Sequence, residues 1–419
     1  MTSIMSGMNP FDSGEFPSKL ALAQGRPTRR QMLGTLAAAG TATLVEPCEV
    51  LARLAANVPC AASGGAGELL GTLPLFRNRP QPGQFGVKYD GAGLDARLDT
   101  DLSLLEPNKL ITPNDLAYIR TEIPAAAANH QGPWTLETSG LLAKPAVLHL
   151  DDLTPRSKKM GPHLFECSGN GSNRHFGLMS VADWEGIPLA EVVARLKPST
   201  EATGVLVSGY DHIGQVSPRS IVGASWVFPL SSLDQLGAFL AIRMNGEAVP
   251  ADHGKPVRLA VPGWYGCSWI KWVNEIRLVG ADEPATSQMV EFAARTHQSA
   301  PHKYARDYVP ADIHTAATPV RVEKRKGPDG LEYRIVGIVW GGAKVVDRLA
   351  IRFANDQPFT PFEICPAPKT HTMWSLWEYR WRPAAPGTYT ITLEVPDRSV
   401  PQRRLTSGYY MRQVKVDEV

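Results

Sequence analysis

The sequence has few cysteines, little net charge and no apolar stretch of the about 20 residues that cross a bilayer. Five cysteines in 419 residues are an odd, sparse set, which excludes a disulfide framework. The 43 Lys and Arg residues nearly balance 41 Asp and Glu residues, so the net charge of +2 does not point to nucleic acid as a partner. Neither internal repeats nor coiled-coil heptads are visible. The composition is that of an ordinary globular protein of two or three domain-sized units.

The cysteines leave room for one thiolate with a chemical role. We expect Cys48, Cys267 and Cys365 to be small, buried hydrophobic residues. Cys167 differs from them in its neighbours, which are described below.

Glycine and proline are plentiful, with 37 and 35 residues, and this favours a β-rich protein with many loops. Between residues 98 and 282, short strands are predicted at 134–140, 204–210, 238–246, 257–263 and 274–280. Helices are predicted at 112–120, where Thr112 is a suitable cap and Pro113 fits the first turn, and at 187–196. Strands and helices without a regular βαβ repeat indicate an α+β domain.

The last hundred residues have a different pattern. From 318 to 419, apolar strand signals are separated by turns such as GPDG and APGT, which is typical of an all-β sandwich of immunoglobulin type. We predict a linker at 283–317 and an extended lead-in at 61–97.

The N-terminal region has a basic segment followed by a short uncharged stretch, residues 31–45, as in a signal peptide. Arg29 and Arg30 resemble the twin-arginine export signal, although Met32 and Gly34 depart from it. A basic extension with a short core helix is the alternative. We expect residues 1–60 to be signal and leader, the protein to be periplasmic, and no membrane span to remain after cleavage.

The segment 163–177, HLFECSGNGSNRHFG, combines an apolar run ending at Cys167 with a polar loop. A thiolate suits a soft transition metal, and small loop residues let backbone N–H groups approach an anion. A buried structural cysteine beside a tight turn explains the same residues equally well.

The motif E-C-S-G-N at Cys167 resembles the molybdenum-ligand segment of the sulfite oxidase family. The W-x-G-x-P-L motif of that family is present as Trp184, Gly186, Pro188 and Leu189. The resemblance implies an α+β molybdopterin-binding domain at 98–282, followed by an immunoglobulin-like dimerisation domain at 318–419. It also implies molybdenum bound by Cys167 and held by one molybdopterin.

Two further blocks resemble the cofactor-binding segments of the family. Residues 244–280 are similar to the pterin-binding block, and residues 110–142 to the opening motif, which brings an arginine to the active site. The cofactor-binding residues implied by the resemblance are Tyr118, Ile119, Arg120, Thr121, Glu122, Asp211, His253, Arg258, Trp269, Ile270 and Lys271. Charged donors such as Arg258 suit the phosphate of that cofactor.

The segment 291–311 resembles the part of the family that carries an active-site tyrosine. The R-D-Y match assigns this role to Tyr308, with Tyr304 as the alternative register. Together with Arg120 and Cys167, Tyr308 completes the implied catalytic set.

Two positions depart from the sulfite-oxidising members of the family. Ser172 and Ser375 stand where those members often have arginine. The site therefore has fewer positive charges with which to bind an anionic substrate such as sulfite. Arg174, Lys303 or Arg306 are the candidates to replace the missing charge.

The resemblance implies an enzyme that transfers an oxygen atom to sulfite or a related reduced sulfur compound. The chain contains no C-x-x-C-H haem-attachment motif, so we expect no haem in it and an external electron acceptor, such as cytochrome c. A homodimer is the family expectation. The alternatives are a reductase of a small oxyanion or sulfoxide on the same metal centre, and a cofactor-free relative that only binds a partner.

Overall fold

The structure is a computed structural model of the chain, and it describes residues 67–77, 89–212 and 224–419. The predicted signal and leader, with Arg29, Arg30, Cys48 and Cys60, lie outside the described residues, as does much of the predicted lead-in. None of the helices in the described ranges is long and apolar enough to span a membrane.

The first region contains both strands and short helices. Its strands are β3 (Tyr89–Asp90), β4 (Arg97–Leu98), β5 (Ile119–Arg120), β6 (Thr135–Gly140), β7 (Val147–His149), β8 (Lys158–Glu166), β9 (Met179–Pro188), β10 (Gly204–Gly209), β11 (Ser225–Pro229), β12 (Phe239–Met244), β13 (Glu247–Ala248), β14 (Arg258–Ala260) and β15 (Val273–Val279). The α-helices are α1 (Ala125–Ala128), α2 (Leu150–Leu153), α3 (Leu189–Leu196), α4 (Leu233–Leu236) and, after β15, α5 (Ser287–Glu291).

These strands form three sheets. One has the order β11-β10-β15-β6-β7, with β15 and β6 parallel; a second has the order β13-β12-β9-β8, with β14 also paired to β12; the third is β3-β4-β5. Helix α3 buries its apolar residues at the three- and four-residue spacing of one helix face. The sheet containing β8 and β9 positions Cys167, which directly follows the last residue of β8.

The C-terminal region is all-β. It contains β16 (Ala316–Gly327), β17 (Gly330–Trp340), β18 (Arg348–Arg352), β19 (Thr360–Glu363), β20 (Ser375–Trp381), β21 (Gly387–Glu394) and β22 (Arg412–Val416). Two further strands, β1 (Glu68–Leu73) and β2 (Leu75–Phe76), extend the sheets to the orders β1-β16-β17-β20 and β19-β18-β21-β22-β2. The predicted fold class, an α+β domain followed by an immunoglobulin-like sandwich, is confirmed.

Part of the predicted lead-in therefore belongs to the C-terminal sheets. Strand β1 pairs with β16, strand β2 pairs with β22, and Leu75 and Phe76 are buried. The sequence pattern did not reveal this, because the pairing partners lie more than 240 residues further along the chain. The domain boundaries themselves remain predictions.

The predicted helix at 112–120 is wrong. Residues 114–116 form a turn, and the segment ends in β5. The N–H of Thr112 donates to the carbonyl of Val181 at 2.8 Å, and the N–H of Tyr118 donates to Ser180 Oγ at 2.8 Å. Because strand β9 pairs with these backbone donors, the segment follows the sheet instead of forming helical hydrogen bonds.

The second predicted helix, at 187–196, begins later than expected. Ile187 and Pro188 pair with strand β12, so they belong to β9, and α3 begins at Leu189.

The end of β8 is bound to the C-terminal region by a buried ion pair. Glu166, the last residue of β8, is fully buried and accepts a hydrogen bond from the Arg403 guanidinium. Trp340 Nε1, at the end of β17, donates to the other carboxylate oxygen at 2.9 Å. Arg403 also reaches the carbonyl of Ser168 at 3.5 Å. Both neighbours of Cys167 are thus bound by one guanidinium.

We expect Arg403→Met to reduce the free energy of unfolding by about 3–5 kcal/mol, because removal of one partner leaves the Glu166 carboxylate buried and unpaired. Urea unfolding followed by tryptophan fluorescence measures this change. Arg404→Met is the matched control, since Arg404 is the exposed neighbour whose guanidinium lies over the Tyr409 ring. Equal losses in the two variants would show that the buried pair does not stabilise the fold.

Candidate functional site around Cys167

The loop after β8 is fixed by hydrogen bonds of its own residues. The N–H of Cys167 donates to the carbonyl of Leu178 at 2.9 Å, and the carbonyl of Cys167 accepts from the N–H of Asn170 at 2.9 Å. The buried side chain of Asn170 donates to the carbonyl of Phe176 and accepts from the N–H of Leu178, both at 3.0 Å. Cys167 therefore has a defined position, and its free thiol is only partly buried.

A second free thiol, Cys267, lies in the same site but differs in character. It is buried, and burial raises the pKa of its thiol to about 12, against the lowering effect of a hydrogen bond with Ser168. Cys167 is the more accessible of the two thiols, and Cys267 is buried as predicted.

Tyr118 packs against Phe165, two residues before Cys167, with the ring centres 4.9 Å apart. Burial raises the pKa of Tyr118 well above its usual value, and a negative charge on Cys167 would add to this effect. Burial, followed by the charge of Arg97, lowers the pKa of Arg120, and a negative charge on Cys167 would oppose that change. Arg120 forms an ion pair with Asp95 at 3.7 Å. Both predicted residues are therefore close enough for a charge on Cys167 to act on them.

The pterin-binding residues predicted between 253 and 271 lie together. Arg258 is buried and donates from Nη1 to the carbonyl of His253 at 3.0 Å. Its guanidinium carbon lies 5.4–5.7 Å from the ring centres of Phe165, Trp184 and Trp269. Burial lowers the pKa of Arg258 to about 10, so the side chain remains charged at neutral pH.

Lys271 is bound to backbone carbonyls. Its ammonium donates to the carbonyls of Arg120 at 3.0 Å, Thr121 at 2.7 Å and Asp252 at 2.7 Å. An ammonium has three donors, so all of them are used. Lys271 therefore joins the end of β5 to the turn that carries His253, and the adjacent Ile270 is buried as well.

The other predicted cofactor-binding residues surround these cations. Ile119 pairs with Leu98 in the small sheet, and the backbone of Thr121 has a left-handed conformation with φ 76°. The side chain of Glu122 accepts a hydrogen bond from the N–H of Gly93 at 2.7 Å. Asp211 is the carboxylate with the largest charge effect on the pKa of Lys271.

Several buried polar atoms in this cluster lack a hydrogen-bond partner among the described residues. They are Thr121 Oγ1, His253 Nε2 and Arg258 Nε. Burial, together with the charges of Arg258 and Lys271, lowers the pKa of His253 to about 3, so its imidazole is neutral. Buried polar atoms normally have partners, and a cluster of cations favours an anion. These residues fit an anionic group with a hydrogen-bonding edge, as molybdopterin is.

The structure places Tyr308 with its own segment. Its hydroxyl accepts a hydrogen bond from the N–H of His302 at 3.1 Å, and the two rings are 5.2 Å apart. A different tyrosine, Tyr265, lies nearer the thiol loop: Arg403 is 4.9 Å from its ring, and burial raises the pKa of its hydroxyl. Tyr265 lies in the segment 244–280 but was not among the predicted site residues, because its contact with Arg403 depends on the packing of the C-terminal region.

The three cations considered as replacements for missing arginines have other contacts. Arg174 forms ion pairs with Asp99 and Asp90, the second at 3.1 Å. Arg306 pairs with Asp282 at 2.6 Å, and the Lys303 ammonium lies 4.8 Å from the Tyr304 ring centre.

Two arginines outside the predicted set reach the thiol loop instead. Arg77 donates to Ser172 Oγ at 2.6 Å, at one of the positions where the family often has arginine. Arg295 lies over the loop, with Nη1 3.6 Å from the point where a Cβ of Gly169 would be. Both reach the loop from distant parts of the chain, so local sequence patterns did not identify them.

The prediction for Cys365 is wrong. Cys365 is disulfide-bonded and only partly buried, so it is not a small buried hydrophobic residue. A single bridge does not make a disulfide framework.

Comparisons with known proteins identify the domain that contains most of these residues. Residues 121–287 match the family described as "Oxidoreductase molybdopterin binding domain". This segment includes Cys167, His253, Arg258 and Lys271.

The curated relatives include the nitrate reductase [NADPH] of Fusarium oxysporum, 28% identical over 196 residues, which are 43% of this chain and 21% of that protein. The nitrate reductase [NADPH] of Aspergillus niger is 25% identical over 284 residues, which are 61% of this chain and 32% of that protein. The chain thus spans about a fifth of the first relative and about a third of the second.

Among solved structures, the sulfane dehydrogenase SoxCD from Paracoccus pantotrophus has a similar fold. The TM-score is 0.59 at 17% identity, covering 87% of this chain and 98% of that one. Residues 121–287 thus form an oxidoreductase molybdopterin-binding domain, and the described fold is that of the sulfane dehydrogenase structure.

Proposed function

We propose that the chain oxidises sulfite or a related reduced sulfur compound at a molybdenum centre bound by Cys167. The observation that carries this proposal is the partly buried free thiol of Cys167, which lies on a fixed loop that the guanidinium group of Arg295 also approaches. A thiolate ligand next to positive charge suits a metal that acts on a small anion.

Molybdopterin, when bound, supplies a molybdenum centre for oxygen-atom transfer and takes up the electrons released. The cofactor would be held by the buried cluster in which Arg258, His253 and Thr121 have unpartnered polar atoms. Lys271 contributes by fixing the backbone of Arg120 and Thr121, since its donors are all bound to carbonyls. Asp211 limits the excess of positive charge.

Arg120 and Tyr308 are proposed to orient the substrate. The positive charge of Arg120 attracts an anionic substrate and opposes its dissociation. Among the described residues, the Tyr308 hydroxyl donates to the carbonyl of His302 at a long 3.4 Å, so this proton is weakly held and suits donation to a substrate oxygen.

Reduction of a small oxyanion is the second candidate function. It is favoured by the relatives named nitrate reductase, with which the chain shares 25–28% identity. The same cations would bind nitrate. A non-catalytic, cofactor-free relative is a third possibility, which metal analysis separates from the two enzymes.

We also propose that the protein is exported to the periplasm by the twin-arginine route and transfers electrons to cytochrome c there. The disulfide at Cys365 supports an oxidising compartment. A homodimer is proposed on the family resemblance alone.

We expect Cys167→Ser to lose molybdenum and sulfite oxidation, because a serine hydroxyl is not deprotonated at neutral pH and does not replace a thiolate ligand. Molybdenum by mass spectrometry and pterin by fluorescence are measured on protein made with the cofactor-synthesis genes. Cys267→Ala is the matched control and is expected to keep its metal. Wild-type turnover in Cys167→Ser would refute the ligand assignment, and wild-type protein without molybdenum would support the cofactor-free alternative.

The holoenzyme is expected to reduce cytochrome c with sulfite more efficiently than it reduces nitrate or dimethyl sulfoxide with reduced viologen. A doubly charged anion gains more from nearby arginines than a singly charged or neutral substrate does. Steady-state kcat/KM values for the three substrates distinguish the oxidative function from the reductive one. A higher value for nitrate would replace the proposed function with the reductive one.

Replacing Arg29 and Arg30 together by lysine should leave the protein in the cytoplasm of a host with a twin-arginine pathway, because that pathway reads the arginine pair. Cell fractionation and immunoblotting measure the distribution, with Arg26→Lys as the control. Full export of the double variant would contradict the proposed route.

A further inference from the structure

Arg295 and Cys167 flank a small open volume above Gly169. A methyl group built on Gly169 would lie 3.6 Å from Arg295 Nη1 and 3.8 Å from Cys167 Sγ. Gly169 is not among the glycines with positive φ, so its backbone does not require glycine. The absence of a side chain there instead keeps the volume between the thiol and the guanidinium open.

The backbone that carries Arg295 is well fixed. The residue ends a 3-10 turn, Ala293–Arg295, between the buried residues Ala293 and Thr296. The N–H of Arg295 donates to the carbonyl of Phe292 at 3.0 Å, and Thr296 Oγ1 donates to the same carbonyl at 2.9 Å. The guanidinium carbon lies 5.5 Å from the Phe292 ring centre. The backbone of Arg295 is thus fixed near the loop, while the residue itself is exposed.

The guanidinium of Arg295 differs from the other cations near the loop in its lack of polar partners among the described residues. Within the described ranges, it forms no ion pair and donates no hydrogen bond, whereas Arg174 pairs with Asp99 and Arg403 pairs with Glu166. Arg120 is paired with Asp95. The charge of Arg295 also acts inside the site, since it lowers the pKa of the Cys267 thiol against the larger effect of burial.

We propose that Arg295 binds the anionic substrate above Gly169 and determines the specificity of the Cys167 site for oxyanions. The proposal rests on the proposed function and assigns the substrate-binding charge within it. A planar guanidinium presents parallel donors to two oxygens of one anion, which a lysine does not. Arg295 thereby supplies charge that Ser172 and Ser375 do not provide.

The test uses the molybdenum-loaded protein and the variants Arg295→Gln and Arg295→Lys. Two readouts are taken: steady-state sulfite oxidation with ferricyanide, and calorimetric binding of sulfate, which does not depend on turnover. In Arg295→Gln, the KM for sulfite and the Kd for sulfate should each rise about 10–100-fold, as expected for the loss of a charged hydrogen bond. The change in kcat should be smaller, and Arg295→Lys should restore part of the affinity.

Arg348→Gln is the matched control, since Arg348 is an exposed arginine of β18 paired with Glu363, and its loss changes the net charge equally. Its KM and Kd should equal the wild-type values, and all variants should contain equal molybdenum. If Arg295→Gln binds sulfate and oxidises sulfite like the wild type, the inference about Arg295 is wrong while the proposed function stands. If the loaded wild-type protein neither binds sulfate nor oxidises sulfite, the proposed function fails, and the inference fails with it.

Discussion

The ion pair between Glu166 and Arg403 is the contact on which the rest of the site depends. Two charges with almost no exposure to solvent are stable only when they are paired and hydrogen-bonded, and Trp340 completes the set around the carboxylate. Glu166 and Ser168 flank the thiol-bearing residue, so Arg403 of the C-terminal region adds to the hydrogen bonds by which the loop fixes Cys167 itself. The C-terminal region therefore contributes to the position of Cys167.

Lys271 has a comparable role on the cofactor side. It uses its three donors on carbonyls of two separate segments, and burial lowers its pKa to about 7. The cost of burying this ammonium is offset by nearby carboxylates, of which Asp211 has the largest effect. In the same cluster, Arg258 and His253 keep unpartnered buried atoms. Buried groups whose backbone is already fixed by hydrogen bonds are preorganised for an anionic cofactor, because little conformational entropy remains to be lost on binding.

The sequence predicted those structural elements that depend on a short, local segment of the chain. The strands around 204–209 and 273–279 were predicted correctly, because apolar runs and turn residues are local signals. The helix predicted at 112–120 was wrong, since its backbone donors pair with a strand about 70 residues away. Arg77, Arg295 and the strands β1 and β2 reach their partners over long sequence separations, and no local pattern records such contacts.

The positive charge of this site shows why position in space matters more than position in the sequence. Ser172 has no charge of its own, but Arg77 from a different segment donates to its hydroxyl, and Arg295 approaches the same loop from another side. An anion responds to the sum of nearby charges and to the donors that face it, whichever segment carries them. A motif that lacks an arginine thus does not exclude an anionic substrate. The glycine at 169 matters as much as the arginines, because charge attracts an anion only where the chain leaves room for it.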